Sequence, residues 1–73
     1  MKPREIQKIM NEAIALVQQN EKEKAREKFE ELLDKARNDS VVLFNAGIFY
    51  SQLGEHLEAS NYLHQSLAKD SNN

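Results

Sequence analysis

The sequence predicts an all-α fold of four helices laid out as two successive helix–turn–helix units, and three observations carry that reading. Apolar residues recur at steps of three and four through four separate segments. Turn-forming residues interrupt them at Asn20, at Asn38 to Ser40 and at Gly54. The second half of the chain repeats the first at an offset of about 34 residues.

The first segment, roughly Pro3 to Gln19, places Ile6, Ile9, Met10, Ala13, Ile14, Leu16 and Val17 at helical spacing. Pro3 suits a first turn, where a missing N–H costs nothing. Asn20 then tolerates the left-handed geometry of a helix end. The second segment, about Lys22 to Arg37, carries Ala25, Phe29, Leu32, Leu33 and Ala36 on one face. Lys24, Glu27, Lys28, Glu31, Asp34 and Lys35 fill the other, with opposite charges three or four apart, the pattern of a solvated surface.

After Asn38, either Asp39 or Ser40 can cap the next helix by accepting from its free N–H groups. That third helix, about Val41 to Leu53, differs from the others. Val41, Val42, Leu43, Phe44, Ala46, Ile48, Phe49, Tyr50 and Leu53 surround its whole circumference, and a helix apolar all round is expected to be buried all round. Val41 to Phe44 alone could be a strand, but helical spacing continues past it without a break to Gly54. The last segment, about His56 to Lys69, sets Ala59, Tyr62, Leu63 and Leu67 on one face, and Asp70 to Asn73 read as a turn or a frayed end.

Composition limits what such a chain does. Its 73 residues can enclose only one small core, and with no cysteine neither a disulfide nor a cysteine metal site supplements it. A net charge of −2 and a pI near 5.6 remove the basic face that a phosphate backbone needs, so no nucleic-acid partner is expected. No continuous apolar stretch offers a signal peptide or a membrane span, and the expected location is cytoplasmic, with no membrane partner.

At the 34-residue offset Ala25 aligns with Ala59, Phe29 with Leu63, Leu33 with Leu67, Asn20 with Gly54, Ala13 with Gly47 and Leu16 with Tyr50. The stretch Leu43, Ala46, Gly47, Tyr50, Gly54, Ala59, Leu63 resembles the tetratricopeptide repeat signature. Small residues at Gly47 or Ala13 and at Ala59 or Ala25 let paired helices approach, Tyr50 or Leu16 fills the space between, and Gly54 or Asn20 makes the tight turn. The resemblance implies one domain over residues 1–73, a short right-handed α-solenoid of two repeats at about 6–39 and 40–73. Glu12 departs from the pattern, standing where the family carries a bulky residue.

Family resemblance also maps the lining of a concave groove onto Met10, Ile14 and Val17 in the first repeat and onto Phe44, Ile48, Ser51 and Gln52 in the second. The function implied is protein or peptide binding, with Met10, Ile14, Val17, Phe44, Ile48 and Gln52 as candidate partner-binding residues. Some members read a C-terminal carboxylate through lysine and asparagine in this groove; here only Asn45 matches, so that mode is not expected. Stacked repeats bury their faces on their neighbours, and two copies without a cap leave Phe49, Leu53 and Leu67 as candidates for an uncovered end. A second copy of the chain is the simplest cover, so a homodimer formed through the third helix is expected. The alternatives are an adaptor that holds an amphipathic helix or apolar peptide of another protein, and the start of a longer repeat array.

Catalysis finds little footing. His56, Ser60 and His64 share one side of the last helix, but a catalytic site also needs a cleft, an oriented base and convergent donors. With glycine only at Gly47 and Gly54 there is no phosphate-binding loop. No catalytic residue, metal site or cofactor is expected.

Overall fold

The structure, a computed structural model, describes residues 3–70. Four α-helices follow one another: α1 (Pro3–Gln18), α2 (Lys22–Lys35), α3 (Ser40–Gln52) and α4 (His56–Asp70). No strand occurs among the described residues, so the Val41–Phe44 stretch is helical, as its continuation into spaced apolar positions predicts. Asp70, expected in a turn or frayed end, is instead the last residue of α4, and the rest of that expectation, Ser71 to Asn73, lies outside the described residues. The chain divides into two compact units, Met1–Ala36 and Arg37–Asn73, the first holding α1 against α2 and the second α3 against α4.

Both helix pairs are closed by the same turn. In the first unit the Glu21 N–H donates to the Leu16 carbonyl at 2.9 Å and the Asn20 N–H to the Val17 carbonyl at 3.0 Å. In the second, the Glu55 N–H donates to the Tyr50 carbonyl at 2.9 Å and the Gly54 N–H to the Ser51 carbonyl at 3.0 Å. These paired bonds satisfy the last orphan carbonyls of a helix and require a left-handed residue between them. Asn20 at φ 63° and Gly54 at φ 83° supply it, one residue type by local polarity and the other by lacking a Cβ. The turn therefore repeats bond for bond at the offset read from the sequence.

In the first unit Met10, Ala13, Ala25, Phe29, Leu32, Leu33 and Ala36 are buried. An exposed ion pair between Lys28 and Glu12, 3.1 Å apart, links α2 to α1. The hydrogen bond to Glu12 and that carboxylate's charge raise the Lys28 ammonium above the ordinary lysine value.

In the second unit Asp39 caps α3, its carboxylate accepting from the Val41 N–H at 2.9 Å and the Val42 N–H at 3.2 Å. Val42, Leu43, Ala46, Gly47, Phe49 and Tyr50 of α3 are buried, as are Ala59 and Ser66 of α4. Gly47 lies at a close approach of the pair: a Cβ built there would lie 2.6 Å from the Leu63 Cγ and 3.2 Å from the Ala59 carbonyl oxygen. Tyr50 and Tyr62 stack tilted with ring centroids 5.4 Å apart. At the other end of the pair the buried Ser66 hydroxyl donates to the Ser40 carbonyl at 2.9 Å, and the Lys69 ammonium donates to the Asn38 side-chain oxygen at 3.2 Å.

Candidate functional site

Hydrophobicity and burial part company on α3. The helix is apolar around its full circumference, yet only one side of it is buried, which corrects the expectation of burial all round. Val41 is 59% exposed, Phe44 51% and Ile48 40%. Steps of three and four put these three side chains on one line along the helix. Ser51 and Gln52 continue the line, also exposed. Asn45 lies half-buried beside it, its amide donating to the Val41 carbonyl of its own helix at 2.8 Å. No charged residue occurs anywhere in α3. The result is an uncharged, largely aliphatic and aromatic stripe facing water.

Among the sequence-derived candidates, Phe44, Ile48 and Gln52 lie on this stripe. Two others do not reach the surface. Met10 is buried, because it shares a line with Ala13 on the inward side of α1. Phe49 is 3% exposed, because it falls with Val42 and Ala46 on the inward side of α3, its ring edge-on to Tyr50 with centroids 5.3 Å apart. Phe49 is therefore not part of the exposed surface, contrary to its expected place at an uncovered end. Ile14 is exposed, Val17 half-buried, and Leu53 half-buried at the end of α3, where its N–H donates to the Phe49 carbonyl at 3.1 Å. Leu67 is 66% exposed, unlike its repeat counterpart Leu33, which is buried.

Sequence reasoning passed over two exposed side chains. Val41 is apolar like the buried residues beside it, and with no charge on α3 to mark the outer side the sequence carries no signal of its exposure. Leu57, 89% exposed, stands in the first turn of α4 between His56 and Glu58, off the line of Ala59, Leu63 and Ser66.

Charge separates the two units as sharply as exposure does. Of the ten basic and twelve acidic side chains, six lie in residues 37–73, namely Arg37, Asp39, Glu55, Glu58, Lys69 and Asp70; the other sixteen lie in residues 1–36. Among the described residues, five of the six exposed large hydrophobic side chains, all but Ile14, belong to the charge-poor unit. Depletion of charge around exposed aromatic and aliphatic groups marks the centre of protein interfaces.

The two histidines and Ser60 do come together, lining a depression of about 300 Å³ with Ser51, Ala59, Leu63 and Leu67. Among the described residues no three His, Cys, Asp or Glu side chains converge as a metal site would require, and no helix is long and apolar enough to cross a membrane. A smaller hollow of about 210 Å³ lies beside the stripe, formed by Ser40, Val41, Phe44 and Ser66. Compared with protein-family models, curated proteins and solved structures, the chain matches none.

Proposed function

We propose that this chain is a protein–protein interaction module, a pair of tetratricopeptide-like repeats that acts in the cytoplasm and self-associates through the apolar surface of α3. The observation that carries the reading is the exposed line of Val41, Phe44 and Ile48. A chain this small has little stability to spare, and each large side chain removed from water contributes about 1.5 to 3 kcal/mol when fully buried. Covering the stripe with another polypeptide is therefore favourable, and the absence of charge on α3 removes the desolvation penalty that opposes such contact. The turns at Asn20 and Gly54 fit the repeat assignment, since the same bonding pattern recurs at the 34-residue offset read from the sequence.

Sedimentation equilibrium across the micromolar to millimolar range tests the reading. The apparent mass of the wild-type chain is expected to rise with concentration, while Phe44→Glu stays monomeric with unchanged helicity. A wild-type monomer throughout that range refutes self-association. A second reading, capture of an amphipathic helix or apolar peptide from a different protein, is favoured by Ile14, an exposed large hydrophobic residue of the first unit. Under it the wild-type chain is monomeric, and Ile14→Glu and Phe44→Glu each abolish binding of the partner while leaving the fold intact.

A further inference from the structure

We draw no further inference here: the strongest candidate, the uncharged stripe of Val41, Phe44 and Ile48 along the exposed side of α3, carries none because nothing in the structure shows what covers it.

Discussion

Replacing Gly47 by alanine sets two opposed effects against each other, and the structure decides the sign. Inside a helix the change from glycine to alanine is favourable by about 0.8 to 1 kcal/mol, because glycine loses more backbone freedom on folding. The new methyl, however, would sit 2.6 Å from the Leu63 Cγ and 2.7 Å from its Cδ2, about 1 Å inside ordinary carbon contact. It would also lie 3.2 Å from the Ala59 carbonyl oxygen, a backbone atom that cannot swing aside. Overpacking of this kind costs about 1 to 3 kcal/mol. The net expectation is a loss of about 1 kcal/mol, or a fall in Tm of roughly 4 to 8 °C for a chain of this size. Urea titration followed by helicity measures it, and Leu63→Ala supplies the control. In that background the Leu63 clash is gone and only the 3.2 Å approach to the Ala59 carbonyl remains, so Gly47→Ala is expected to be neutral or to stabilise by part of its helix-propensity gain, and the cycle of four proteins should give a coupling of about 1 to 3 kcal/mol between the two sites. If Gly47→Ala stabilises equally in both backgrounds, the close approach of α3 to α4 is wrong.

Three further perturbations follow from the same geometry. Asp39→Ala removes the acceptor for the Val41 and Val42 N–H groups and is expected to lower stability by about 1 kcal/mol in the same titration, while Asp39→Asn retains most of it. Gly54→Ala meets no steric obstacle but forces a Cβ into left-handed backbone, at about 1 to 2 kcal/mol, whereas Asn20→Gly is expected to be neutral or better. The Lys28 value is raised in the folded chain, so the Glu12 contact contributes fully at neutral pH and is lost as pH rises through the folded value, above the ordinary 10.5. Stability should therefore fall in alkali, and Lys28→Met should remove part of that fall; an identical alkaline slope in the variant would show the contact to be inert.

Helix positions were legible in the sequence because spacing and punctuation agreed. Asn20 and Gly54 marked both left-handed turns, and the small residues Ala13, Gly47, Ala25 and Ala59 marked buried, close-packed positions. The surface was harder to read for a physical reason. On α2 the charged residues declare the outer face, but α3 offers no charge to distinguish inside from outside, so its apolar pattern alone could not separate exposed Phe44 from buried Phe49. On α4 the small hydroxyl of Ser66 occupies a buried position that a simple apolar count gives to Leu67. Serine is tolerated there because its donor finds the Ser40 carbonyl, a bond between residues 26 apart that spacing does not encode.

The short turns at Asn20 and Gly54 carry a kinetic corollary. Each hairpin closes on itself across a connection of three residues, so the chain segments that must meet begin near one another and little loop entropy opposes the encounter. Helical pairs with such local connectivity form in microseconds to milliseconds. In a chain with one proline, placed at the first residue of α1, and no cysteine, neither imide isomerisation within a loop between helices nor thiol oxidation is available to delay them. Newly made chain would thus present its finished surface almost as soon as its residues are free to move.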